Sequence, residues 1–124
     1  MTAEDTGGTY GLMELDIPAG EGPPLHVHER EEQFFHVLSG TFLFVCGDRR
    51  TELSEGGCIL LPRRVPHRFQ NVGDATGRLM LIVTPGGFEG FFSAVEGAAL
   101  ADVDDIAARF GLRFLPALSA AEAA

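Results

Sequence analysis

His26 and His28 are separated by one residue, and His67 follows Pro66 at the start of a later apolar stretch. Alternate residues of a strand share a face. A His-x-His step therefore offers two imidazoles to one point. A third imidazole from a neighbouring strand completes a facial set of nitrogen donors for a transition metal. The chain has four histidines, and three of them fall in this arrangement. Imidazole serves iron, zinc, nickel, manganese or copper, so the expected cofactor is one divalent transition metal of unspecified identity.

The elements that must position these residues are short strands. Thr9 to Asp16, Leu25 to His28, Gln33 to Leu38, Thr41 to Cys46, Arg50 to Leu53, Cys58 to Leu61, His67 to Asn71 and Arg78 to Thr84 all read as strands between Gly- and Pro-rich turns. Such a cadence indicates an all-β sandwich or barrel. Helix is expected only late, over Phe88 to Val95 and Val103 to Phe110, with Asp102 as N-cap and Gly111 as stop. The organisation read from this pass is one domain over 1–124: a barrel over about 7–86, a helical segment over about 87–116 and a small-residue tail over 117–124.

The flanks of the histidines carry a family resemblance. The first reads Gly22-Pro-Pro-Leu-His26-Val-His28-Glu-Arg-Glu-Glu-Gln33-Phe-Phe-His-Val-Leu-Ser-Gly40, the second Gly56-Gly-Cys-Ile-Leu-Leu-Pro62-Arg-Arg-Val-Pro-His67-Arg-Phe-Gln-Asn71. Together they resemble the two motifs of the cupin superfamily, and the ending Phe88-Glu-Gly-Phe-Phe92 with Phe110-Gly-Leu-Arg-Phe114 resembles a bacterial subgroup of small cupins. The resemblance implies a double-stranded β-helix, or jelly-roll barrel, with short C-terminal helices. It also implies His26, His28 and His67 as metal ligands. Where the family pattern has a metal-binding glutamate this chain has Gln33, whose amide is the expected fourth ligand or hydrogen-bond partner. Glu32 is one position away, so strand parity turns it to the opposite face; it is the candidate for a catalytic carboxylate, and no other catalytic residue is assigned. Where the pattern has a glycine two residues after Pro62, this chain has Arg64, and a reshaped turn is expected.

Parity places Gln33, Phe35 and Val37 on the inner face and His36 outside. Phe35, Phe42, Phe44 and Phe69 are expected to line a pocket for a small apolar or aromatic substrate. Cys46 and Cys58 are read as small core residues. Glu29, Glu31 and Glu32 read as a solvated acidic run. Leu43 and Val45 fall on the outer face, which favours a partner sheet and hence a homodimer.

Three neutral imidazoles and a neutral amide would leave a +2 ion uncompensated, and such a site favours a substrate that binds as an enolate or phenolate. Three functions follow from the resemblance: a dioxygenase resembling quercetinase-like cupins, a non-redox cyclase, isomerase or lyase resembling polyketide-cyclase cupins, and a non-catalytic ligand-binding cupin. The oxygenase stands slightly ahead as the broader group. A net charge of −9 argues against nucleic acid and anionic membranes as partners. No apolar run reaches the roughly 20 residues of a membrane span, and the N-terminal residues lack signal-peptide character. A cytoplasmic location is expected.

Overall fold

The computed structural model describes residues 1–115. Period-two alternation of apolar and polar residues produces two antiparallel sheets that face each other. The strands are β1 (Gly11–Ile17), β2 (His26–His28), β3 (Glu32–Ser39), β4 (Thr41–Cys46), β5 (Arg49–Ser54), β6 (Cys58–Leu61), β7 (His67–Asn71), β8 (Gly77–Thr84) and β9 (Leu112–Phe114). Among the described residues one sheet runs β1-β8-β3-β6 and the other β5-β4-β7-β2-β9. Between β8 and β9 lie α1 (Gly90–Val95), a 3-10 turn over Leu100–Asp102, and α2 (Val103–Arg109). This is the all-β jelly-roll expected from the sequence, with eight strands close to their expected bounds. No helix among the described residues is long and apolar enough to cross a membrane. The expected tail over 117–124 lies outside the described residues.

Inward residues of the two sheets meet in one core. Phe35, Val37, Leu61, Leu79, Leu81 and Val83 come from the first sheet, and Phe42, Phe44 and Phe69 from the second. Burying each such side chain stabilises by about 1.5–3 kcal/mol relative to leaving it in water. The chain passes from β3 to β4 through Gly40 alone, whose φ of 92° suits glycine. Gly22 is needed for a different reason. A Cβ there would lie 1.9 Å from the Phe69 carbonyl oxygen, so only glycine lets the loop before β2 lie against β7. Asn71 closes that loop from the other side: its Nδ2 donates to the carbonyls of Ile17 and Ala75, each at 2.9 Å, and its Oδ1 accepts from the Gly73 amide.

Several local expectations are corrected. β9 was not foreseen: three residues are too few to show a period, and its partner β2 lies at the other end of the sequence. Helix α1 begins at Gly90, leaving Phe88 ahead of it as a buried loop residue. Asp102 occupies the N-cap position of α2 without a side-chain capping bond, and the helix end is instead complemented by Asp104 and Asp105 in its first turn. Arg64 does not reshape its turn. It adopts the left-handed φ of 66° that a glycine would, and its amide donates to the His28 carbonyl at 2.7 Å. Cys58 is exposed, because the outer face of edge strand β6 is uncovered; Cys46 is partly buried against the core. Val45, expected outside, is only 5% exposed, and Leu43 is half-buried, so this face offers little exposed apolar surface for a partner sheet.

Candidate metal centre

β2 is paired on both sides, with β7 and with β9, and the register sets His26 directly opposite His67. His28 follows two residues on and turns to the same side. The ring centroids of His26 and His67 are 4.4 Å apart, those of His26 and His28 5.1 Å, and those of His28 and His67 5.3 Å. One nitrogen from each ring lies within 4.8 Å of the others, and all three residues are buried. Gln33 reaches them from β3 in the opposite sheet, with its Oε1 3.0 Å from Nε2 of His67.

The hydrogen bonds settle which nitrogen faces inward. Nδ1 of His26 lies 2.8 Å from the Pro24 carbonyl oxygen, and Nδ1 of His67 lies 3.1 Å from that of Val65. A carbonyl only accepts, so both Nδ1 atoms carry the proton and both Nε2 atoms present lone pairs. Burial holds the two imidazoles neutral. It lowers His26 to about 4, with a smaller contribution from His28, and lowers His67 to about 3, reinforced by His26 and His28. Neutral rings with free lone pairs are the form a metal requires.

Two further observations test the fit of a cation. Both ring nitrogens of His28 are buried without a hydrogen-bond partner. The lone pair of His67 Nε2 also faces the amide oxygen of Gln33, another acceptor. Two acceptors 3.0 Å apart repel unless a cation joins them or the Gln33 amide turns its NH2 group inward. An ion held by His26, His28, His67 and Gln33 satisfies one ring nitrogen of His28 and joins His67 Nε2 to the Gln33 oxygen, so the residues present fit a divalent transition metal.

A cavity of about 460 Å³ opens onto this cluster, a volume in the range of small-molecule sites. His26, His28 and Gln33 form its polar end, while His67, fully buried, stands behind that surface. Of the four phenylalanines expected to line it, Phe35 and Phe69 do. Phe42 and Phe44 do not: they sit deeper along β4 and are filled core, at 0% and 1% exposure. The aromatic wall comes instead from the C-terminal segment, through Phe88, Phe91, Phe92 and Phe114. The Phe88 ring meets His28 edge-on at 4.4 Å, and Phe114 lies 6.2 Å from His26. The phenylalanine clusters were visible in the sequence, but strand parity has no reach over a segment that folds back as helix and loop. Asp16 and Glu21 are the only charged side chains among the described lining residues.

The acidic run also divides. Glu32 points outward to Arg63 at 3.3 Å, on the face away from the cavity, which removes the geometric basis for a catalytic role. Glu31 is not solvated. It is 5% exposed and lies behind His28, with Oε2 3.7 Å from Nδ1. Its spacing of three residues from His28 was the available signal, masked by its acidic neighbours. His36 is half-buried on the outer side of β3, beside Cys58 and Met80, away from the cluster.

Comparison with known proteins agrees with this geometry. The model of the cupin domain matches residues 13–83. Protein SchB of Streptomyces halstedii is 34% identical over 86 residues, covering 68% of this chain and 62% of SchB. Polyketide synthase CurC of Streptomyces cyaneus is 29% identical over 109 residues, covering 87% of this chain and 71% of CurC. Among solved structures, BH2720 from Bacillus halodurans superposes with a TM-score of 0.61 at 26% identity, covering 64% of this chain and 65% of its own. The chain thus spans under two thirds of the length of SchB and of BH2720. With both motifs in place on a jelly-roll that sets three buried histidines together, the chain belongs to the cupin family.

Proposed function

We propose that this cupin is a metal-dependent enzyme acting on a small, enolisable aromatic compound, in a non-redox cyclisation, isomerisation or elimination of the kind polyketide assembly requires. The observation that carries the reading is the juxtaposition of a phenylalanine-walled cavity with three buried imidazoles and one amide at its polar end. A divalent ion held there would act as a Lewis acid on a carbonyl or phenol oxygen. The protein's own residues do the rest. Phe35, Phe69, Phe88 and Phe114 hold the aromatic body by burial and ring contacts. They also exclude water from the polar end. Gln33 supplies a neutral donor where a glutamate would supply a charge, so less negative charge stands at the place where an enolate oxygen forms. The name of CurC, and the similarity to it over most of the chain, support placing this reading ahead of the oxygenase.

The test is turnover of a panel of enolisable diketones and phenols by metal-loaded protein, with and without dioxygen. Equal anaerobic turnover is expected. Turnover that stops without dioxygen and consumes it stoichiometrically would return the oxygenase to first place. No turnover and no perturbation of the spectrum of cobalt-loaded protein by any of these compounds would leave the binding-protein reading.

A homodimer belongs to the same proposal. Its apolar contact is sought on edge strand β6, where Leu60 is 55% exposed, rather than at Leu43 and Val45. Sedimentation should give twice the monomer mass, reduced by Leu60→Glu.

A further inference from the structure

Each of the three histidines needs a partner for the ring nitrogen turned away from the cluster. For His26 and His67 that partner is a backbone carbonyl, of Pro24 and Val65. His28 has no carbonyl in that position, and both of its ring nitrogens are orphaned. Facing it, Oε2 of Glu31 is also buried and without a donor among the described residues. The two orphans lie 3.7 Å apart, with side chains 1% and 6% exposed. A modest rotation of the ring or the carboxylate brings them within hydrogen-bond reach.

The surroundings hold Glu31 in this inward position. The turn between β2 and β3 is clamped to the C-terminal segment: the Glu29 amide donates to the Gly111 carbonyl at 2.8 Å, and Nη1 of Arg30 donates to the Arg109 carbonyl at 3.2 Å. Gly111 has a φ of 72°, and a Cβ there would lie 3.1 Å from Nε of Arg30, so glycine is what admits the close approach. On the other side the Phe88 ring edge packs against His28 and limits where its ring can turn. With Arg30 and Glu32 both directed outside, Glu31 is the residue of the turn left facing in.

We infer that Glu31 is the positioning residue of the metal centre: its carboxylate accepts a hydrogen bond from Nδ1–H of His28, turns Nε2 toward the ion, and offsets one of the ion's two positive charges from behind the ligand. The inference rests on the metal reading above and deepens it. Partners of this kind are worth about 10- to 100-fold in metal affinity. The site then carries a net charge of about +1 rather than +2 even with Gln33 in place of a carboxylate.

The test compares cobalt and zinc affinity, by competition with a chromophoric chelator, in the wild-type chain, Glu31→Gln and a charge-matched control at an exposed turn, Glu55→Gln. Glu31→Gln should weaken binding by about 10- to 100-fold and shift the visible bands of the cobalt form, while Glu55→Gln changes neither. Unchanged affinity and spectrum in Glu31→Gln would overturn the inference. A second measurement needs neither metal nor variant: long-range proton–nitrogen correlation in metal-free wild-type protein should place the His28 proton on Nδ1. A proton on Nε2 would overturn the inference equally. If the wild-type chain takes up no cobalt or zinc, the metal reading fails, and the nitrogen spectrum still decides whether His28 presents Nδ1–H to Glu31.

Discussion

The two ends of the barrel interior are built from the same kinds of residue and behave differently. At the end lined by β4, Phe42, Phe44, Phe35 and Phe69 pack ring against ring with centroids 5.1–6.4 Å apart, and Phe42 and Phe44 are sealed from solvent. At the β2 end, phenylalanines again surround the interior, but they enclose about 460 Å³ of open space, and the ring nitrogens of His28 and Oε2 of Glu31 there lack hydrogen-bond partners. Phe35 and Phe69 belong to both ends and mark the boundary. One end is filled and hydrogen-bond complete; the other is left open and polar-deficient, which close-packed interiors otherwise avoid. An opening and unmet donors in the same place are what a bound ion and substrate would complete.

The contrast can be broken by substitution. Phe42→Ala should show the largest effect, a loss of about 3–5 kcal/mol in denaturant unfolding, because a sealed site cannot relax around the cavity. Metal content of the remaining folded protein should stay stoichiometric. His28→Ala should do the reverse. It should abolish stoichiometric metal by elemental analysis while leaving the β-sheet circular dichroism intact, since two buried unpartnered nitrogens are removed with the ligand. Full metal content in that variant would sink the ligand assignment.

Smaller changes sharpen the comparison. Gln33→Glu restores a charge at the open end and should tighten divalent metal by about tenfold, near 1.4 kcal/mol, while weakening an anionic ligand. Calorimetry in which neither quantity moves would place Gln33 off the ion. The smallest effect is a slope with pH. His26 and His67 are held below their ordinary value of about 6.5, at about 4 and about 3. Between those values and 6.5 the unfolded chain binds more protons than the folded one, so folding is favoured as pH rises. Metal-free protein should therefore have this contribution in full above 6.5 and lose it as pH falls toward 4 and then 3, by at most about 1.4 kcal/mol per pH unit per histidine. His26→Phe should flatten part of the slope, and Phe42→Ala should leave it unchanged.

Much of this was legible because strand parity is a local property. Gln33 inward and Glu32 outward follow from a period of two, and so does the placement of His26 and His28 on one side of β2. The resemblance of the two motifs to cupins carried the fold, and the family match and the two-sheet architecture agree with it. Parity failed where depth or cover mattered. Phe42 and Phe35 both face inward, yet only one meets the cavity, because parity assigns a face and says nothing of height along the barrel. Cys58 shared an apolar run with Leu61 but lies on the uncovered side of an edge strand.

By itself, then, the sequence determined eight of the nine described strands, the faces of most of their residues, the three imidazoles and the absence of a carboxylate at position 33, all of them readable from neighbours a few residues apart. Only the tertiary structure decided that β9 pairs with β2, that Phe88 and Phe114 wall the cavity, and that Glu31 is drawn inside while Glu32 beside it is not. These depend on segments about sixty to ninety residues apart packing together, in part around Gly111 and Arg30. No local period encodes such packing; it follows from which surfaces remain to be buried once both sheets have formed.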